Sequence, residues 1–194
     1  MSDATESMSK DGLKAVREWV TVVGVALLIA FLVRGFVLQQ FYISGPSMES
    51  TMYQDNRVLV NKLSYRLHDI HRGDVVVFDR VTTDGVAVQH DDLIKRVIGL
   101  AGDTISISKC VVSVNGKTID EPYLNDYDLA QSNLDDRCRI PDMSATKVAE
   151  GQLFVMGDNR PQSFDSRMFG TIDESLVIGR AFVIIWPIGS FHWL

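Results

Sequence analysis

Hydrophobic positions fall into two unlike patterns along this chain. From Trp19 to Val33 (WVTVVGVALLIAFLV) there is no charge, and the run is apolar all round rather than on one face. That predicts a helix with no polar side to offer water. Carried past Arg34 through Gly35-Phe36-Val37-Leu38 it reaches about 20 residues, the length a bilayer requires. Arg34 then lies near one end, where a long side chain reaches the headgroups. After residue 40 the pattern changes to short β-branched runs: Arg57–Val60, Asp74–Phe78, Thr104–Ser108, Val111–Val114, Leu153–Met156 and Val177–Trp186. These read as strands. Turn signals separate them at Arg72-Gly-Asp74, Thr83-Asp-Gly85, Ala101-Gly-Asp103 and Gly157-Asp-Asn159, and Asn115-Gly116 marks a hairpin. Beyond the apolar run only Asp173–Leu176 has helical character. The expected fold is mostly β, built of antiparallel sheets behind one amino-terminal transmembrane helix. Asn125–Thr146 is polar and weakly patterned and reads as a surface insertion.

Three readings of the apolar run compete: a cleaved leader, a buried core helix and an uncleaved anchor. A leader needs a small-x-small site, and Arg34-Gly-Phe-Val-Leu-Gln-Gln40 has none. A core helix would be one-sided. The anchor is the expectation, and Lys10, Lys14 and Arg17 before it place residues 1–18 in the cytoplasm by the positive-inside bias. The domains expected are therefore a cytoplasmic tail at 1–18, an anchor at 19–38 and an extracytoplasmic domain at 39–194.

Charge narrows the partners. Lys and Arg number 19 against 25 Asp and Glu, a formal net charge of −6. Residues 1–34 are balanced, so the excess sits on the β domain, and a surface of that sign repels nucleic acid. Two cysteines, Cys110 and Cys138, form no CxxC or Cys/His cluster, and no metal or organic cofactor is implied. Both lie in the part expected outside the membrane, where disulfides persist. A bridge would tie the 125–146 insertion to the sheet. Two free thiols are the other reading, and sequence does not choose between them.

Three windows carry candidate chemistry. Ser47 lies in Ser44-Gly45-Pro46-Ser47-Met48, a bend able to present a hydroxyl, although a Gly-Pro turn needs no function. Lys95 interrupts Leu93-Ile94-Lys95-Arg96-Val97-Ile98. On a strand Lys95 and Arg96 face opposite ways, and Lys95 shares a side with Leu93 and Val97. The plain alternative is a snorkelling Lys on an edge strand. Gly157 to Arg167 gathers two hydroxyls, two carboxylates and two arginines, which could equally be a solvated loop. The histidines are weak candidates: His68 and His71 flank Asp69, His90 lies in an acidic loop with Asp91 and Asp92, and His192 is near the end.

Taken in order, these windows resemble the boxes of the bacterial type I signal peptidases, membrane-bound Ser-Lys proteases. Ser44 to Met52 is similar to the nucleophile box. Arg57–Val60 through Arg72–Phe78 resembles the next, Ile94 to Asp103 the box of the general base, and Gly157–Arg160 with Ser163–Arg167 the last. The resemblance implies Ser47 as nucleophile, Lys95 as base and Ser163 as the hydroxyl that orients the amine. Asp165 and Arg167, with Asp158 and Arg96, resemble the ion pairs that shape the site. Phe41, Tyr42 and Ile43, with Asp92, Leu93 and Ile94, resemble the walls of the substrate cleft. Preproteins with signal peptides and the lipid bilayer are the partners implied, with the secretion machinery a further candidate, and the fold implied is a β domain at the membrane surface.

Two departures stand out. The family's box has Pro three residues after the nucleophile, where this chain has Ser50, which should loosen the turn. Some members carry Ser two residues before the nucleophile; here Gly45 stands there and Ser44 is one further away. The backbone N–H of Ser47 is then the main expected oxyanion donor. A Lys acts as base only when neutral, and its free pKa is about 10.4, so apolar burial is required. Two rivals remain: a catalytically silent membrane-anchored β module that binds partners, and a soluble self-cleaving Ser-Lys repressor, which would need a DNA-binding head.

Overall fold

The run Val75-Val-Val-Phe78 is buried on both faces, as expected of a strand inside a sheet covered on both sides. In the computed structural model, which describes residues 3–83, 87–124 and 137–194, this run opens strand β3 (Val75–Thr83). The chain divides into two units, Met1–Leu38 and Gln39–Leu194.

The first unit is a helix, α1 (Asp3–Leu32), continued by a wider π-type turn at Val33–Val37 that holds Arg34. Lys14–Val37 is long and apolar enough to cross a membrane. Trp19, Leu27, Leu28 and Phe31 are exposed, which is the condition of a helix whose solvent is lipid and not that of a core helix.

The second unit consists, among the described residues, of two antiparallel sheets. The larger has the order β1 (Leu38–Tyr42), β2 (Arg57–Asn61), β11 (Val177–Trp186), β3 (Val75–Thr83), β4 (Val88–Gly99), β9 (Gln152–Met156) and β10 (Ile172–Asp173), with β12 (His192–Trp193) also on β11. The smaller runs β7 (Lys117–Thr118), β6 (Val111–Val114), β5 (Thr104–Ser108) and β8 (Met143–Lys147). The alternation of β3 feeds two cores. Val75 and Val77 join Met48, Met52, Val58, Val60, Ala181 and Ile184. Val76 and Phe78 join Val97, Leu153, Val155 and Ile172. A third core, with Ile98, Ile105, Val112 and Phe154, couples the small sheet to β4 and β9.

The mostly-β antiparallel fold is as the sequence predicts, with three local corrections. His90, Asp91 and Asp92 are not in a loop. They lie on β4, paired with Val81, Arg80 and Asp79 of β3 in an exposed two-stranded ribbon. The surface insertion expected at 125–146 falls for residues 125–136 outside the described residues, and its end is β8, paired with β5 from Thr104 to Ile107. Leu38, assigned to the anchor, begins β1. In the first two cases ladder hydrogen bonds supplied by a neighbouring strand override a polar local pattern.

The Asn115-Gly116 hairpin forms between β6 and β7, with both residues at positive φ (53° and 77°). The β5–β6 turn has the same signs at Lys109 (50°) and Cys110 (68°) without an Asn or Gly. It is held from outside: Cys110 is bonded to Cys138, with Cα atoms 5.7 Å apart, and its N–H donates to Pro141 O at 2.9 Å. The bridged residues are 28 apart. Closing a loop of that length stabilises by about 3.6 kcal/mol in the chain-entropy account. Replacing both cysteines by serine should lower the free energy of urea unfolding by roughly that amount. An unchanged midpoint and slope would show that the turn holds without the bridge.

Candidate active site

Ser47 is presented by two buried anchors. The loop after β1 is pinned at Ile43, whose N–H donates to Asn56 O (2.9 Å) and whose carbonyl accepts from Asp55 N (2.9 Å). Gly45 is extended, and Pro46 opens one 3-10 turn, Pro46–Met48. Met48 and Met52 are fully buried, while Ser47 stays half-buried and reachable. The chain then turns at Met48–Thr51: Glu49 is at φ −60°, ψ 143°, Ser50 is at φ 52°, and Thr51 N donates to Met48 O at 3.0 Å. This is the pattern of a type II turn, whose third residue needs positive φ. Proline, fixed near −65°, is excluded from position 50. The Ser50 hydroxyl donates to Tyr123 O at 2.7 Å, a tie that proline at this position would lack.

Lys95 is not on an edge strand. β4 runs between β3 and β9, Lys95 pairs with Val76 and Arg96 with Val75, and Lys95 is only 3% exposed. Its Nζ lies 2.8 Å from Ser47 Oγ and donates to Ile94 O at 2.8 Å. Burial pushes its pKa down to about 8, against the opposing pull of the Asp165 and Asp158 charges. Two described partners suit a neutral amine, with one N–H for the carbonyl and its lone pair for the hydroxyl, better than an ammonium with three donors.

Both opposing carboxylates are occupied by arginines. Arg96 grips Asp158 in a fork, Nε to Oδ1 at 2.9 Å and Nη2 to Oδ2 at 2.7 Å, and its Nη1 donates to Gly73 O at 2.9 Å. Thr51 Oγ1 donates to Asp158 Oδ2. Arg167 grips Asp165 likewise, with both bonds at 2.8 Å. Asp165 also caps the one-turn helix α2 (Ser166–Phe169) by accepting from Arg167 N, and accepts from Gly157 N at 3.0 Å. Burial favours the neutral Asp165, but Arg167, the Gly157 N–H and the nearby Ser163 hydroxyl together hold it below the usual carboxylate range.

The loop Gly157–Asn159 reaches the nucleophile through backbone: Asn159 N donates to Ser47 O at 3.1 Å. A Cβ on Gly157 would stand 2.3 Å from Ser47 O and 2.3 Å from Ser163 Oγ, so only glycine fits this approach. Ser163 is buried; no partner, Lys95 included, lies in hydrogen-bond geometry with its Oγ, and its hydroxyl acts on the neighbouring Asp165 carboxylate. Ser47, Lys95, Ser163, Asp158, Asp165, Arg96 and Arg167 are thus gathered in one place. None of the four histidines bonds to Ser47 or Lys95; His90 Nδ1 instead faces half-buried Asp79 at 2.6 Å. Phe41 and Ile94 pack on the same core, and Ile43 is part of it. Tyr42 is exposed on β1, which is an edge of the large sheet. Asp92, Leu93 and Ile94 pair with β3 on one side, whereas β9 begins to pair with β4 only at Arg96.

Sequence reasoning missed Thr51, Glu121, Tyr123 and the partner of Arg160. Arg160 is buried and forks onto Glu121, with Nη1 to Oε2 at 3.0 Å, while its Nε donates to Gly157 O at 3.1 Å. Asp120-Glu121-Pro122-Tyr123 reads as an ordinary turn, and only burial of its Glu and Tyr sets it apart.

Among known proteins, the family model described as signal peptidase, peptidase S26, matches residues 16–186. Signal peptidase IB of Staphylococcus aureus (strain MRSA252) is 36% identical over 188 residues, covering 93% of this chain and 94% of the relative. A probable signal peptidase I-2 of Synechocystis sp. is 38% identical over 165 residues, covering 84% of this chain and 70% of the relative. A crystal structure of a signal peptidase I from Enterococcus faecalis V583 has 30% identity and a TM-score of 0.47, covering 58% of this chain and 97% of that one.

The depressed Lys95 pKa fixes the sign of a pH effect. Between about pH 8 and 10.5 the unfolded chain binds the proton that the folded chain has lost, so stability rises with pH there. Below that window the cost of the buried charge is complete, at about 3 kcal/mol. Lys95→Met should therefore stabilise the domain by up to roughly that amount at pH 7, and the gain should vanish near pH 10.5. Denaturant unfolding at both pH values tests this; a gain that does not change with pH would mean the amine is not the cause.

Proposed function

The chain belongs to the signal peptidase family, peptidase S26, and on that premise we propose that it cuts signal peptides from exported preproteins at the outer face of the membrane, with Ser47 as nucleophile and Lys95 as general base. The observation that carries the reading is the 2.8 Å contact between a reachable Ser47 Oγ and a buried Lys95 Nζ whose pKa has fallen to about 8.

Neutral Lys95 takes the Ser47 proton as Oγ attacks the scissile carbonyl. The resulting ammonium has a third donor, and the Ser163 hydroxyl, buried near Ser47 and Asp165, is the group to accept it and so hold the amine in place. Lys95 then returns the proton to the leaving amine and next activates a water that releases the acyl-enzyme. The Ser47 N–H lies in the first turn of its 3-10 segment, where N–H groups have no intrahelical acceptor, and it is the donor we assign to the oxyanion.

Substrate would enter as an added strand. β1 is an edge strand and Asp92–Ile94 pairs with β3 alone, so each has a flank on which a strand could be added, while Ile43 has its backbone spent on Asp55 and Asn56 and would wall the cleft with its side chain. The apolar helix confines enzyme and substrate to one surface, which raises encounter frequency without any further contact. Lys10, Lys14 and Arg17 at its amino side support a cytoplasmic tail and an extracytoplasmic β domain. A silent binding module is disfavoured, since it would have no use for a buried, half-neutral lysine against a serine.

Ser47→Ala and Lys95→Ala should each abolish preprotein cleavage by the full chain in detergent while the protein remains folded. Lys95→Arg should fail as well, because a guanidinium stays charged; turnover by it would remove Lys95 from the base's role. In the wild type the acid limb of kcat/KM should fall near pH 8. For topology, protease added outside intact spheroplasts should digest residues after about 40; digestion of the first 18 alone would invert the orientation.

A further inference from the structure

A buried clamp outside the four resembling boxes reaches the site from residues 119–124. Glu121 and Arg160 are both nearly enclosed, with side chains 9% and 5% exposed. A buried ion pair is costly to assemble and contributes little net stability, so its placement calls for another reason. Arg160 spends its fork on Glu121 and its remaining Nε on Gly157 O, at 3.1 Å. The Gly157 peptide is therefore held at both ends, by Arg160 at the carbonyl and by Asp165 at the N–H. Two residues on, Asn159 N holds Ser47 O.

Tyr123 closes the clamp. Its hydroxyl donates to Glu121 Oε1 at 2.7 Å, its ring centroid lies 4.0 Å from the Arg96 guanidinium carbon, and its carbonyl accepts from Ser50 Oγ at 2.7 Å. A cation over an aromatic face at that distance is attracted to it. One short segment thus touches the nucleophile's turn, the arginine beside the base on β4 and the arginine that holds the Gly157 loop. No described contact joins Glu121 or Tyr123 to Ser47 or Lys95.

We propose that Glu121 and Tyr123 are positioning residues of the Ser47–Lys95 pair, Glu121 acting through Arg160 on the Gly157–Asn159 loop and Tyr123 through Arg96 and Ser50. The proposal rests on Ser47 and Lys95 being the reacting pair. Removing the Glu121 charge leaves Arg160 without its fork partner and frees the Gly157 carbonyl. The Ser47 carbonyl is then held less firmly, while the two cleft edges at Phe41–Ile43 and Asp92–Ile94 are untouched. The deficit should fall on kcat and not on KM.

The test uses the full chain in detergent micelles with a synthetic peptide spanning a small-x-small cleavage site, with kcat divided by the folded fraction from near-ultraviolet circular dichroism. Glu121→Gln should lower kcat per folded molecule roughly tenfold or more, with KM within about twofold. Glu121→Asp, which keeps the charge, should recover part of the loss, and Tyr123→Phe, which keeps the ring over Arg96, should stay within about threefold of wild type. Ser50→Ala removes a single hydroxyl and should cost about threefold in kcat alone, which keeps the proposal testable if Glu121→Gln does not fold. A normal kcat per folded molecule in Glu121→Gln, a loss carried by KM, or an unaffected Ser50→Ala when Glu121→Gln cannot be folded overturns it. Residual cleavage by Ser47→Ala would instead overturn the underlying reading, so the two failures are distinguishable.

Discussion

A lysine amine sealed into a protein interior must either keep a counter-ion or give up its proton, and the β domain is arranged around the second outcome. Lys95 sits on a strand flanked by neighbours on both sides, with a hydroxyl and a carbonyl as its described partners. Two carboxylates lie close enough to pull its proton back. Each is instead saturated by an arginine fork, Asp158 by Arg96 and Asp165 by Arg167. Each fork sets a guanidinium against the carboxylate, which lessens its pull on the lysine without removing it. Seen this way, the ion pairs matter less as stabilisers than as insulation between negative charge and an amine that must stay near neutrality.

The same constraint explains which parts of the structure were legible in the sequence. The strands were readable as short β-branched runs, as in Arg57–Val60 and Asp74–Phe78, and the structure adds that the first alternates its faces while the second is buried on both. The polar half of β4 was not readable, because His90-Asp91-Asp92 is solvated on both faces and is a strand only by virtue of its ladder with β3. At the site, Ser47 and Lys95 were identifiable as anomalies, a hydroxyl in a Gly-Pro bend and a cation in an apolar run, and the resemblance to known boxes joined them. Glu121 and Tyr123 were invisible for the opposite reason. Charged and aromatic residues in a Pro-containing turn are ordinary, and only their enclosure against Arg160 and Arg96 distinguishes them. Ser50 illustrates a third case: the type of residue was evident, but its positive φ, which makes the turn something a proline could not form, belongs to the backbone and leaves no mark in the sequence.

One further property follows from the layout of β4. Its residues Asp92–Ile94 have an unused flank, and the next residue along is Lys95. An extended chain laid against that flank would be indexed by the pleat, which repeats every second residue and advances about 3.4 Å per step. Sliding such a chain by one residue would turn its side chains to the opposite face and carry a different peptide bond to the amine. The strand would therefore work as a ruler whose zero mark is the Lys95 amine itself, since no hinge or linker lies between the graduations and the origin. Precision in choosing a bond would come from covalent continuity along one strand and would not require separate recognition of the bond to be cut.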